Sequence, residues 1–304
     1  MMITPLFFAL ALFGQTAQDP DSQPSPEAPV TEVEEVTVRA QRVREAVNSF
    51  LDEVTDPPRG RGPARWSDSV CVGAVNLRRT SGQYVVDRVS EVALDLGLDI
   101  GEPGCSPNIL VLATEDGPGL ARALVSERPY AFRPGYAGAS QSRASLQRFQ
   151  SNERPVRWWH VSLPVDSDTG APAVSMPGYG PAMVSVQGSL LRTEIRNDLT
   201  RAFIIVDFVR AEGVSLEQLA DYVAMVAFAQ VDPEARTGAF DTILNLFDDE
   251  APPPRMTDWD RAYLRSLYSA ELNQRSSAAQ RGAIASSMSR DRERTEPLDE
   301  SDDE

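Results

Sequence analysis

The residues with the clearest capacity for chemistry are two aspartates, Asp166 and Asp168, in the stretch DSDTG at residues 166–170. Two carboxylates held close together can share a proton and activate a water molecule. Carboxylates at this spacing also occur in calcium-binding loops, although the further acidic ligands of such a loop are missing here. Asp and Gly are also the residues that tight turns prefer. We therefore predict a hairpin turn, with calcium binding and carboxylate catalysis as alternatives.

The tetrapeptide DTGA at residues 168–171 resembles the catalytic loop of retropepsin-type aspartic proteases. This resemblance implies a hydrolase in which Asp168 is one of two paired aspartates. In those enzymes an apolar strand leads into the motif, whereas Val165-Asp166-Ser167 is mostly polar. A carboxylate-dependent hydrolase that uses Asp168 is therefore the alternative to the leading hypothesis below.

Two tryptophans and the single histidine of the chain are adjacent, at Trp158-Trp159-His160. They lie in the predicted strand 156–165, and alternation along a strand sends Trp158 and His160 to one face and Trp159 to the other. One face is expected to belong to the core, while the other could stack a sugar, a peptide or an aromatic ligand. These three are the predicted binding residues, with a core-and-edge role as the alternative.

Composition excludes several classes of function. All 29 basic residues are arginine, so Schiff-base lysines, Walker-type phosphate loops and Ser-Lys dyads are excluded. With one histidine and no G-x-S-x-G motif, a Ser-His-Asp triad cannot be assembled on the pattern of the α/β-hydrolases. The net charge of −16 disfavours binding to nucleic acid and to anionic lipid.

The N-terminus predicts export. Residues 6–13, LFFALALF, form an apolar run that suits a signal peptide and is too short to span a membrane, although no basic residue precedes it. We predict a signal peptide over residues 1–17 and a periplasmic or secreted protein. In an oxidising compartment Cys71 and Cys105, the only cysteines, are expected to form a disulfide. A zinc site that adds His160 to them is the alternative, but no spacing suggests a fourth ligand.

Hydrophobic periodicity predicts alternating strands and helices in the middle of the chain. Strands are expected at 70–75, 108–114, 156–165, 182–189 and 201–210, and helices at 83–98, 120–125, 216–230, 257–268 and 276–288. The helix 216–230 is apolar nearly all round, so we predict that it is buried in the core. Its acidic residue Asp221 is expected to be a hydrogen-bonded carboxylate rather than a catalyst.

This order of strand, helix, strand, meander, strand and buried helix resembles a zincin-like metalloprotease domain. The closer resemblance is to a bacterial family of exported, uncharacterised zincin-like proteins, and it rests on residues 220–230, the segment 243–245 and the helix 257–268. The resemblance implies an α+β fold: one zincin-like domain with a mixed sheet and a buried helix, followed by C-terminal helices. A catalytic zincin carries two histidines at i and i+4 with a glutamate as general base. Here Asp221 or Tyr222 would be followed by Met225 or Val226, so no metal site and no cofactor are predicted.

Residues 33–42, VEEVTVRAQR, also resemble the TonB box of outer-membrane receptors, which implies an interaction with TonB. The chain shows no ladder of membrane strands that could form the barrel of those receptors. The alternative is a linker that runs into a helix at residues 44–54.

The predicted organisation is a signal peptide, a Pro-rich linker with a short helix, the zincin-like domain, a C-terminal helix and an acidic disordered tail. Their boundaries are 1–17, 18–64, 65–270, 271–289 and 290–304. The leading hypothesis is an exported, non-catalytic domain that binds a protein or another component of the cell envelope. The alternatives are the Asp168 hydrolase and a small TonB-interacting accessory protein.

Overall fold

The computed structural model describes residues 30–58, 60–135, 141–175, 182, 184, 192–274 and 276–295. The predicted signal peptide 1–17 and most of the predicted strand 182–189 lie outside these residues, as does the end of the predicted tail. Internal contacts divide the chain into residues 1–39 and residues 40–304. The sheet and the helices that cover it belong to the second unit.

Among the described residues, helices and strands occur in the predicted order, together with helices at Pro129–Phe132 and Arg143–Ser151 that the sequence patterns do not predict. They are α1 Val30–Val54, β1 Val72–Val75, α2 Arg79–Asp95, β2 Ile109–Thr114, α3 Gly117–Glu127, α4 Pro129–Phe132, α5 Arg143–Ser151, β3 Val156–Asp166, β4 Ile195–Asp207, α6 Leu216–Phe228, α7 Asp258–Ser269 and α8 Ser277–Thr295. A 3-10 turn, Ile243–Asn245, lies between α6 and α7.

The strands form one mixed sheet in the order β1-β2-β4-β3. Strands β1, β2 and β4 are parallel, while β3 runs antiparallel to β4 with Trp158 opposite Ile204. A register shift between Val161 and Ser162 marks a bulge in β3. The fold is therefore α+β with a mixed sheet.

Both faces of the sheet are covered by helices. On one face α2 and α6 pack against the sheet, and Trp158 belongs to their hydrophobic cluster. On the other face α3, α4 and α5 cover a second cluster that contains Phe132, Phe149 and Trp159. Adjacent residues of β3 thus enter different cores, as the alternation predicts.

Helix α6 is the centre of the larger core. Ser215 and Gln218 form a capping box at its N-terminus, which satisfies amide groups that the first turn cannot pair internally. Every residue from Ala220 to Phe228 is buried. The structure therefore confirms the predicted core helix.

Helix α7 is fixed at both ends by side chains. Thr257 and Asp260 form a capping box at its N-terminus. The Asp260 carboxylate also accepts from the Thr242 hydroxyl at 2.5 Å and from the Ile243 amide at 2.8 Å. At the other end Arg65 donates to the carbonyls of the last turn, including that of Ala270 at 3.0 Å. This guanidinium suits the negative end of the helix dipole.

Two helices are longer than the sequence patterns predict. Helix α1 begins at Val30 rather than at Arg44, so residues 33–42 are helical. Their β-branched valines and threonine favour extended structure, but the Glu, Arg, Gln and Ala residues around them are strong helix formers. Helix α8 continues to Thr295, so the first residues of the predicted tail are helical.

Candidate functional site

The DSDTG stretch forms a turn that Asp166 organises. Its Oδ1 atom accepts hydrogen bonds from the Asp168 amide at 3.1 Å and from the Thr169 amide at 2.8 Å. The Thr169 hydroxyl donates to the same oxygen at 2.8 Å, and Gly170 adopts a φ of 71°. A positive φ is readily available to glycine, so the sequence suits this turn.

The two aspartates of this turn do not share an environment. Asp166 is buried and occupied by the turn, whereas Asp168 is exposed. Carboxylates that share a proton must face each other in one site. The structure therefore gives no support to Asp166 and Asp168 as a catalytic pair.

Asp221 holds α6 to its neighbours. Its Oδ1 atom accepts from Nε of Arg88 on α2 at 2.5 Å, and its Oδ2 atom accepts from the Met256 amide at 2.6 Å. Asp221 is buried, whereas the Arg88 side chain is 25% exposed. Both oxygens are thus engaged in structural contacts, which is the role that the sequence predicts for this carboxylate.

Trp158 and Trp159 are almost fully buried, and the cavity that both line, of about 30 Å³, is too small for a sugar or a peptide. Both residues are buried, on opposite sides of β3. Nε1 of Trp158 donates to the Val231 carbonyl at 3.0 Å, and Nε1 of Trp159 donates to the Phe132 carbonyl at 2.9 Å. The expected ligand-stacking surface is therefore absent, because helices cover the second face of the sheet as well as the first.

His160 is buried beside the end of α6. Its Nε2 atom lies 2.8 Å from the carbonyl oxygen of Val226. Because a carbonyl can only accept, Nε2 carries the proton. Burial lowers the pKa of His160 to about 4, and the hydrogen bond to Val226 opposes that shift only in part. The ring is therefore neutral at pH 7.

Three side chains from distant parts of the chain satisfy the C-terminal carbonyls of α6. His160 donates to Val226, Nε1 of Trp66 donates to Ala227 at 2.9 Å, and the Tyr268 hydroxyl donates to Phe228 at 3.1 Å. A helix leaves its last carbonyls without internal partners, and burying them unpaired is costly. The last turn contains no basic residue. That absence is the signal from which the need for outside donors could have been predicted.

The cysteines form the predicted disulfide. Cys71 and Cys105 are bonded, with their Cα atoms 6.1 Å apart. The bond joins the start of β1 to the loop before β2. Among the described residues, no helix is both long enough and apolar enough to cross a membrane.

Two open cavities flank α6. On the α2 side, a groove of about 480 Å³ contains Asp221 at its base. Its rim carries Tyr84, Arg88, Glu217, Arg255 and Arg261. The carboxylates and guanidinium groups of this groove pair with one another or with nearby residues, as in the contact of Arg255 with Glu217 at 3.7 Å.

The second cavity, which we call the Tyr222 pocket, lies between α6 and the start of β3. Its volume is about 430 Å³, and its lining includes Arg154, Pro155, Val156, Tyr222, Phe247 and Asp248. The rings of Tyr222 and Phe247 meet edge to face with centroids 5.1 Å apart. Burial raises the pKa of the Tyr222 phenol, the charge of Arg154 opposes the shift and that of Asp248 adds to it. A cation, a phenol and two carboxylates, those of Glu153 and Asp248, therefore line a partly apolar cavity.

No group of three or more His, Cys, Asp or Glu side chains among the described residues is placed to hold a metal ion. No family model, curated protein or solved structure matches this chain.

Proposed function

We propose that the chain is an exported, non-catalytic zincin-like domain that binds a protein or another component of the cell envelope. The order of the elements supports the zincin-like part of this proposal. Strand β1, helix α2, strand β2, the antiparallel strand β3, strand β4 and the buried helix α6 occur in this order, with α3, α4 and α5 between β2 and β3. This is the order on which the sequence resemblance rests.

The hydrogen bond between His160 and α6 is the observation that supports a domain without zincin catalysis. The imidazole is the only one in the chain, and its Nε2 proton is donated to the Val226 carbonyl. The proton excludes Nε2 as a zinc ligand. Nδ1 remains a possible ligand atom, but no group of three or more His, Cys, Asp or Glu side chains among the described residues is placed to complete a site around it. The helix positions that would hold zincin ligands are also occupied by packing, since Met225 and Val226 are fully buried.

The disulfide supports export. Disulfides persist in oxidising compartments and are rare in the cytosol of most organisms. Together with the apolar run at residues 6–13, the bond between Cys71 and Cys105 favours a periplasmic or secreted location. The alternatives have less support, because Asp166 is committed to its turn and residues 33–42 are helical.

Expression of the full chain in a Gram-negative host, followed by fractionation, tests the location. We expect the periplasmic protein to lack the first 14–17 residues by intact mass, as the predicted signal peptide requires. Denatured samples should show no reactive thiol. Cytosolic protein that retains Met1 and two titratable thiols would contradict the proposal.

A further inference from the structure

We propose that the Tyr222 pocket binds the C-terminal residue of a peptide whose last side chain is apolar or aromatic. This inference rests on the proposed binding function and names its ligand. The pocket volume of about 430 Å³ falls within the range of small-ligand sites, roughly 300–1,000 Å³.

Arg154 is the cation that would receive the terminal carboxylate. It lines the pocket, and its guanidinium makes no hydrogen bond or ion pair with any of the described residues. Glu153, which also lines the pocket, is paired instead with Arg210, an arginine outside the pocket that contacts Asp207 as well. A guanidinium binds a carboxylate through two parallel hydrogen bonds, which suits a chain terminus.

The Tyr222 hydroxyl is a further polar group of the pocket that could bind the ligand. This hydroxyl makes no hydrogen bond with another described residue, although Tyr222 is only 3% exposed. Arg154 lies close enough to influence its pKa. A carboxylate held by Arg154 could therefore accept a hydrogen bond from this phenol as well.

Other residues that line the pocket favour a peptide over a simple carboxylic acid. Phe247, Pro155 and Val156 supply an apolar floor for a side chain. Asp248 is exposed on the pocket wall and would repel a second anionic group. It would accept a hydrogen bond from the peptide N–H next to the terminal carboxylate. A C-terminal residue supplies all three features: one carboxylate, one N–H and one apolar side chain.

The test uses N-acetyl-Ala-Phe as the probe and its C-terminal amide as the matched control. Both are titrated into the ¹⁵N-labelled full chain at pH 7. We expect the acid to bind with a dissociation constant of roughly 0.1–1 mM, as for a small ligand that makes few polar contacts. The shifted amides should include those of Tyr222, Phe247 and Asp248. The amide probe should bind at least about tenfold more weakly, because it lacks the charge that Arg154 recognises.

Three variants locate the site. Arg154→Gln should weaken binding of the acid at least about tenfold, and Tyr222→Phe should weaken it about threefold to tenfold. Arg148→Gln is the matched control, because Arg148 pairs with Glu234 and does not line this pocket. It should bind the acid within about twofold of wild type. Thermal melts establish that each variant is folded.

Each outcome decides the inference. Equal binding of acid and amide, or an unchanged affinity of Arg154→Gln, would overturn it, as would no shift at 10 mM probe. Mass spectrometry of the recovered probe separates this failure from failure of the proposed function. Cleavage of the Ala–Phe bond would contradict a non-catalytic domain, whereas an intact probe that does not bind overturns only the ligand inference.

Discussion

Nε2 of His160 donates a hydrogen bond to the carbonyl oxygen of Val226, over 2.8 Å. This contact joins strand β3 of the sheet to the C-terminal end of α6. It gives the single imidazole of the chain a structural role. The last carbonyls of this buried helix need hydrogen-bond donors from elsewhere in the chain. His160 supplies one of them, beside Trp66 and Tyr268.

Replacing His160 tests that role. His160→Phe keeps a ring of similar size but removes the donor, which leaves the buried Val226 carbonyl unpaired. We expect a loss of about 1–3 kcal/mol in the free energy of unfolding, measured by urea denaturation. His160→Gln retains an N–H donor and should lose less. If both variants were as stable as wild type, the hydrogen bond would contribute nothing to the fold.

The same residue predicts a pH dependence of stability. The pKa of His160 is about 4 in the folded protein, whereas an exposed histidine has a pKa of about 6.5. As the pH falls below 6.5 the unfolded chain binds the proton first, so stability decreases until the pH reaches about 4. Relative to His160→Gln, wild type should lose about 3 kcal/mol between pH 7.5 and pH 4.

His160→Gln is the control for this pH dependence, because all carboxylates titrate equally in both proteins. Parallel stability curves for wild type and His160→Gln would show that the imidazole is solvated and titrates normally.

Asp221 should matter more for stability than its neighbour Glu91, although both contact Arg88. Asp221→Ala removes the partner of a buried amide and of a half-buried guanidinium. Breaking a fully buried pair costs about 3–5 kcal/mol, and we expect somewhat less here because Arg88 is partly solvated. Glu91→Gln is the matched control, since the Glu91 side chain is 63% exposed. It should cost no more than about 1 kcal/mol. Equal effects in thermal melts would contradict the structural role of Asp221.

Local patterns predicted the elements that local interactions determine. The capping box at Thr257 and the buried α6 follow from short-range residue spacing, and both are present. The partners of Trp159 were not predictable, because the Phe132 carbonyl that accepts from its indole lies on the short helix α4. Such a helix has too few residues to show a periodic pattern.

The roles of Trp66, His160 and Tyr268 were also beyond sequence reasoning. They meet at one helix end only after the sheet, α6 and α7 have packed together. The start of α1 was missed for a different reason. Valine and threonine favour strands, but helix growth is cooperative, and neighbouring Glu, Arg and Ala residues extend the helix through them.

Removal of the disulfide should destabilise the domain measurably. The bond closes a loop between residues 34 positions apart, for which chain entropy gives about 4 kcal/mol. Unfolding of the double variant Cys71→Ser, Cys105→Ser is compared with that of wild type under oxidising conditions and with reductant. Reductant should affect only wild type. Unchanged stability of the double variant would mean that the bond does not constrain the unfolded chain.

The zinc content of the purified protein tests the central claim most directly. A metal bound only to the folded state stabilises it by about 2.7 kcal/mol when its free concentration is a hundredfold above the dissociation constant. We expect elemental analysis to show far less than one zinc per chain, and the melting temperature to be the same with and without a chelator. One zinc per chain, lost on chelation together with several degrees of melting temperature, would contradict a non-catalytic, metal-free α6.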